Sequence, residues 1–427
     1  MIGKLIYKFL GFNGGKPTYI ELSPFVSLFL MVAYSFNILP PSFSLYVGGG
    51  LTSEDINPLF NKFFWLASIL MTLPLWLQGS SHAMRSIYFR AFPLIVLTFL
   101  LLISTLWSLS PIDTARRSIL ELFVIFTVLS NVAGLRKLED LFVIVYKVAA
   151  ITLFFEIFML FKANGFDEMG FFRGVHTQKN VLGLLAAISI LFGIFVRLNA
   201  LAKSKFLNNL YLLLWLMLLW LSKSKTSLGL VVISPILAML IIDKGRIGIT
   251  LYVSFLVIYC AITIAIILGV DVSQSINQYI HKVGFTGRDD IWQFLFGRFL
   301  DRPWLGHGYG GFWDIGPMAP NIRYGTGFIP FINQAHNGYL DLLLALGLVG
   351  FTLYLFVLFG VILCIRSANN HPQKNILTFS WVLIVFSLLH NFTETTLLRG
   401  YSTVWIVQLM AMAIIYRMSY ESALSKV

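Results

Sequence analysis

His336 and Asn337 stand directly before a long apolar run in "FINQAHNGYLDLLLALGLVG". A helix dipole disfavours a cation at its N-terminal end, so an imidazole placed there tends to stay neutral and able to accept a proton. His336 therefore suits general-base work on a hydroxyl. A capping or interfacial histidine is the plainer alternative. Basic residues gather in segments on the same side. Arg288 lies in the loop before His336, Lys225 in "SKSKT", Arg173 in "FFRGVHTQKN", and Arg116 and Arg117 in "TARRS". Such groups bind and neutralise a phosphate-bearing leaving group. Arg116 and Arg117 would either hold phosphate or anchor a helix end. His176, His281 and His307 lack the placement of His336 and are read as structural.

The loop that carries Arg288 runs over residues 271–337 and is rich in Gly and aromatic residues. Asp289 and Asp290 in a first turn suit the helix dipole, and Pro303 ends the helix they begin. Ile291, Trp292, Leu295, Phe296, Phe299 and Leu300 follow a helical period and make one apolar face. "LGHGYGGFW" then reads as a glycine-rich turn, not a nucleotide loop, because no Lys-Ser or Lys-Thr follows it. Trp292 and Trp313, with Asn337 beside them, are candidates for sugar contact. An interfacial aromatic belt accounts for the aromatics equally well. No metal-ligating pattern stands out, and chemistry without a bound metal or other cofactor is expected.

These residues need a scaffold, and composition identifies it. The chain has 427 residues, 58% hydrophobic and only 12% charged, with mean hydropathy +0.81. Apolar runs of about 20 residues, each able to span a bilayer, recur throughout. The expectation is an all-α polytopic bundle of about twelve spans, near 23–39, 62–77, 91–108, 118–133, 139–161, 181–197, 208–222, 227–242, 248–270, 338–364, 376–390 and 401–416. It divides into a bundle over 1–270, a large external loop over 271–337, and a C-terminal group of spans over 338–427. The basic start is too short for a cleaved signal, so the first span would itself be the targeting signal. Cys260 and Cys364 lie within apolar runs and read as small buried hydrophobes. With the long loop set aside, Lys and Arg number 16 on the side of the termini and 9 opposite. That bias places both termini in the cytoplasm. The net charge of +12 then points to anionic lipid or a lipid-linked anion, not nucleic acid.

"TGRDDIW", "RPWLGHGYGGFW" and "AHNGYLDLLLALGLVG" together resemble the signature of the O-antigen ligase and polymerase superfamily, nearest to ExoQ-type exopolysaccharide polymerases. "LWSLSPIDTARRS", "RGVHTQKNVLG" and "LSKSKTSL" fit the same pattern, and the resemblance runs roughly over 105–395. It implies a glycosyltransferase of the bacterial inner membrane, acting on the periplasmic face on a glycan carried by undecaprenyl pyrophosphate. A polymerase moves that glycan to another lipid-linked repeat unit; a ligase moves it to lipid A core. By this resemblance Arg288 and His336 match the ligases' loop arginine and histidine. Lys225 stands where the ligases have a second arginine, which keeps the charge but loses the bidentate fork. A flippase and a chain-length regulator are the partners a polymerase implies. A lipid-linked glycan flippase is the rival of another class, and it should carry charge within its spans. Lys147 is the main clear mid-span cation.

Overall fold

The computed structural model describes residues 18–37, 58–77, 82–243, 288–400 and 402–425. The expected span 248–270, Cys260 and His281 lie outside these residues. The described residues form fourteen α-helices and no strand. In chain order they are α1 (Tyr19–Ser35), α2 (Pro58–Leu77), α3 (His82–Arg90), α4 (Phe92–Ile103), α5 (Pro111–Gly134), α6 (Glu139–Met159), α7 (Lys179–Leu198), α8 (Lys205–Leu221), α9 (Lys225–Asp243), α10 (Asp289–Asp301), α11 (Pro320–Tyr324), α12 (Gly338–Ser367), α13 (Lys374–His390) and α14 (Thr403–Leu424). By length and apolar composition α5, α6, α7, α12 and α14 can cross a membrane, with a sixth span if α3 and α4 count as one. Five further apolar stretches, in α1, α2, α8, α9 and α13, are 10–17 residues long. This is a multi-pass membrane protein.

The expected span near 91–108 corresponds to α4, which begins at Phe92. α3 precedes it, and the two helices meet at 69°. Pro93 at the start of α4 explains the bend, because it has no N–H to bond back and its ring disfavours a helical predecessor. α14 is the central helix, with nearly all of its length buried against α3, α5, α12 and α13. Cys364 is buried in α12.

The two ends of the bundle carry different groups. At one end Arg417 donates to the carbonyls of Val132 (3.0 Å) and Leu135 (2.6 Å). There too His371 meets Glu421 at 3.2 Å, and Gln373 donates to Glu139 at 2.6 Å. At the other end sit His336, the glycine-rich turn and the 391–400 connection.

α12 is broken at Gly347, whose φ of 61° and ψ of −161° lie outside the helical region. A broken helix frees backbone groups, and deep in a membrane protein these must find partners. The turn at 303–308 supplies them. Leu348 and Val349 donate to the carbonyls of Pro303 (2.8 Å) and Trp304 (3.1 Å), while His307 and Gly308 donate to those of Leu344 (2.8 Å) and Ala345 (2.9 Å). Close approach demands glycine on α12: a Cβ on Gly347 would lie 2.3 Å from the Trp304 carbonyl carbon. Behind this seam Ile291, Leu295 and Phe299 of α10 bury against Leu344 and Leu348, with Trp292, Phe296 and Leu300 packed alongside. The apolar face of α10 thus lies on α12.

The seam is also tied to the α4–α5 connection. Tyr309 N–H donates to Ser104 Oγ (3.0 Å), and Trp107 Nε1 donates to the Leu305 carbonyl (2.9 Å). Gly347→Ala should lower stability by at least about 2 kcal/mol, since this backbone region is essentially restricted to glycine and costs other residues about 1–3 kcal/mol before the clash is counted. Denaturation of purified protein in detergent measures it, and a midpoint equal to the wild type would contradict the seam.

Candidate active site

His336 is the residue before the N-cap of α12. Asn337 is that cap: its Oδ1 accepts from the N–H groups of Tyr339 and Leu340, both at 3.1 Å. An Asn before a long apolar run is the sequence signal for such a cap. His336 itself has φ 50°, in the left-handed region that non-glycine residues seldom occupy. Neighbouring bonds hold it there. Ala335 N–H donates to Asp341 Oδ2 (3.2 Å), and Asn337 N–H to Thr395 Oγ1 (3.2 Å). Gly338 N–H donates to the Asn391 carbonyl (2.8 Å).

The imidazole faces Glu394, with Nδ1 at 3.0 Å from Oε2. A carboxylate offers only acceptors, so Nδ1 carries a proton toward it. The other oxygen of Glu394 takes Arg288, Nη2 to Oε1 at 3.2 Å. Arg288 is the N-cap of α10, so the loop helix delivers it to this place. Burial is the largest influence on Glu394 and raises its pKa. The hydrogen bond and charge of His336, with the charges of Arg288 and His390, outweigh burial and leave it below the ordinary value near 4.5. Glu394 is thus a carboxylate at neutral pH. It fixes the orientation of the ring through Nδ1. Burial holds His307, by contrast, below its ordinary value, and its Nε2 lies 3.0 Å from the Arg298 carbonyl.

A second carboxylate braces the same turn. Asp341 accepts from Trp313 Nε1 at 2.8 Å as well as from Ala335, and Arg399 lies 3.6 Å away. Trp292 Nε1 donates to the Ala335 carbonyl at 2.9 Å. The indole N–H groups of Trp292 and Trp313 thus both hold the turn before His336. Trp313 is buried, its ring against Phe312; Trp292 is half-buried.

The other candidate cations lie on separate elements. Arg117 donates to the carbonyls of Gly310, Trp313 (3.1 Å) and Asp314 (3.4 Å), pinning the loop to the start of α5. Arg116 is exposed, with Asp113 at 3.9 Å. Lys225 is exposed at the first position of α9. The turn before it packs on α7, where a Cβ on Gly183 would lie 2.4 Å from Ser224 Cβ. Arg173 lies on a short hairpin, closed by a bridge between Phe166 and Phe172, and its Nη1 reaches the Thr177 carbonyl (3.4 Å). That hairpin is anchored by His176, fully buried 2.9 Å from Glu156 and 3.2 Å from Asn37.

Residues 210–355, about a third of the chain, match the O-antigen ligase family. Over that segment the chain is similar to the O-antigen ligase/polymerase superfamily. The superfamily consists of membrane enzymes that transfer glycans. The match spans Lys225, α10 with Arg288, the seam and His336; Arg116, Arg117, Arg173 and Glu394 lie outside it. No curated protein matches the chain.

Glu394 went unread in the sequence. It lies 58 residues after His336, in "LLHNFTETTLLRG", and no linear pattern couples the two. A carboxylate in a short connection between apolar helices was the available signal. Glu394→Gln should destabilise the protein near neutral pH by about 1.5–3 kcal/mol, the range for a hydrogen bond to a charged group. Glu394 has a lowered pKa in the fold, so its contribution is present above the ordinary carboxylate pKa. It is lost as pH falls through the lowered value. The stability gap between wild type and variant should therefore close in acid, and a pH-independent gap would contradict the pairing.

Proposed function

We propose that this protein is a polysaccharide polymerase of the bacterial inner membrane. It joins undecaprenyl-pyrophosphate-linked oligosaccharide repeat units into surface or exopolysaccharide on the periplasmic face. The observation that carries the reading is the chain Arg288–Glu394–His336 at one end of the bundle, with a ring nitrogen left to accept a proton. In this reading the bundle has twelve spans: the six able to cross, the five shorter apolar helices and 248–270. Both termini are cytoplasmic, and the His336 end is periplasmic.

The acceptor sugar hydroxyl gives its proton to His336 Nε2 as its oxygen attacks the donor's anomeric carbon. The bond from that carbon to the pyrophosphate oxygen breaks, and undecaprenyl pyrophosphate leaves with the electron pair. A pyrophosphate is a good leaving group, so charge stabilisation and one base suffice. Arg288 receives its developing charge, with Lys225 and Arg173 as further phosphate ligands. Arg116 has the exposure for the same role, while Arg117 serves through the loop it pins. Trp292 presents a ring beside the base for sugar contact, and Asn337 and Trp313 fix the turn. A single displacement inverts the anomeric centre. The reaction uses no metal or other cofactor. A flippase supplies the donor from the cytoplasmic face, and a chain-length regulator acts beside the enzyme.

Transfer to lipid A core is the second reading within the superfamily. Lys225 in place of the ligases' arginine favours polymerisation. A lipid-linked glycan flippase does not require a histidine–carboxylate pair.

Purified protein given undecaprenyl-pyrophosphate-linked repeat units, with neither nucleotide sugar nor added metal, should yield a ladder of whole repeats. His336→Ala should lower the rate by about 10²–10⁴-fold, the usual worth of general-base catalysis. Arg288→Gln should abolish the ladder. Full rate in His336→Ala would remove the base assignment. Product only with added lipid A core would make the protein a ligase.

A further inference from the structure

We propose that Asn391 is a positioning residue that sets the His336–Glu394 pair in register, with Gly338 as its receiving site. The role in catalysis rests on the glycosyl-transfer reading above.

Asn391 is buried at the C-terminal end of α13 and bonds in three directions. Its carbonyl accepts from Gly338 N–H at 2.8 Å, two residues beyond the histidine. Its Oδ1 accepts from the N–H groups of Thr396 (3.0 Å) and Leu397 (2.9 Å), and from Thr396 Oγ1 (3.2 Å). Its Nδ2 donates to the Ser387 carbonyl at 2.8 Å, which fixes the side chain to α13. One residue therefore grips both partners: the main chain that carries His336 and the turn that carries Glu394.

Gly338 makes the grip possible. A Cβ there would lie 2.1 Å from Asn391 Oδ1, inside any allowed contact. Only glycine lets α12 begin against this amide. The contact matters because both members of the pair lie just outside their helices, Glu394 tied to α13 through its N–H to the His390 carbonyl (3.0 Å). His336 precedes its helix in a left-handed conformation, and Glu394 sits in a connection. Their 3.0 Å separation depends on how the two segments are fixed together. A misplacement of about 1 Å in a catalytic geometry costs about 10²-fold in rate.

Two sets of measurements on the full chain test the proposal. In the transfer assay, kcat and KM for the lipid-linked donor are read separately for Gly338→Ala, Asn391→Ala and the double variant. Gly338→Ala should lower kcat about 100-fold with donor KM within about twofold. Asn391→Ala should have a smaller effect. The double variant should recover to the level of Asn391→Ala, because truncation of the amide makes room for the new methyl. Structural damage alone would lower kcat and raise KM together with the thermal midpoint reduced, and the two losses would add; that result overturns the proposal. The second readout needs no turnover. Carbethoxylation of His336 by diethyl pyrocarbonate, located by mass spectrometry, should change in rate in Gly338→Ala, as the ring leaves Glu394 and Nδ1 loses that acceptor, and should return toward the Asn391→Ala rate in the double variant. Unchanged labelling in Gly338→Ala overturns the positioning role. A wild type inactive on every acceptor but with the expected labelling pattern would sink the glycosyl-transfer reading and keep the positioning.

Discussion

The break in α12 is the constraint on which the rest of the structure depends. A helix interrupted within a membrane bundle has main-chain groups that lipid cannot satisfy. Four of them bond to the turn at 303–308. Those bonds decide where residues 288–337 sit. With the turn fixed, α10 lies on α12 and its N-cap brings Arg288 to Glu394. The apolar contacts of Ile291, Leu295 and Phe299 then add burial to a placement that hydrogen bonds have already defined. Loop and bundle are therefore one unit at this end, and the arginine is a part of the scaffold as much as the histidine is.

Much of this was legible in the sequence because it is local. Apolar stretches mark helices by composition alone, and α10 was readable from its paired aspartates, its apolar period and Pro303. Asn337 as a cap follows from its place before the run. The helix α3 before the bend at Ala91 was missed because "HAMRSIYFR" is short and carries two arginines, so hydropathy does not register it. The break at Gly347 is hidden for the opposite reason. "LLLALGLVG" is apolar on both sides of the glycine, and a helical glycine looks the same as one at φ 61°. Only the partner turn, with Gly306 and Gly308 also at positive φ, reveals why it is there.

The candidate site was half legible for a different reason. Cations cluster visibly, and a histidine at a helix start has a physical signature. Carboxylates that serve as partners have none. Asp341 is a single acidic residue among apolar neighbours and Glu394 one among threonines, and their meaning lies in contacts with residues 6 and 58 positions away. The aromatic residues show the same limit. Sequence marks Trp292 and Trp313 as amphipathic rings, whereas the fold decides that both indole N–H groups serve the turn beside His336.

Glu394 also resolves a tension in the placement of His336. The helix dipole disfavours positive charge at the start of α12. A carboxylate at 3.0 Å acts in the opposite sense. Arg288 moderates that second influence, since it takes the other oxygen of the same carboxylate. Ring and guanidinium thus share one carboxylate. In the proposed reading, an anionic ligand that engages Arg288 weakens its hold on Glu394 and leaves that carboxylate to the imidazole alone, so phosphate binding and the placement of the ring are linked through a single side chain.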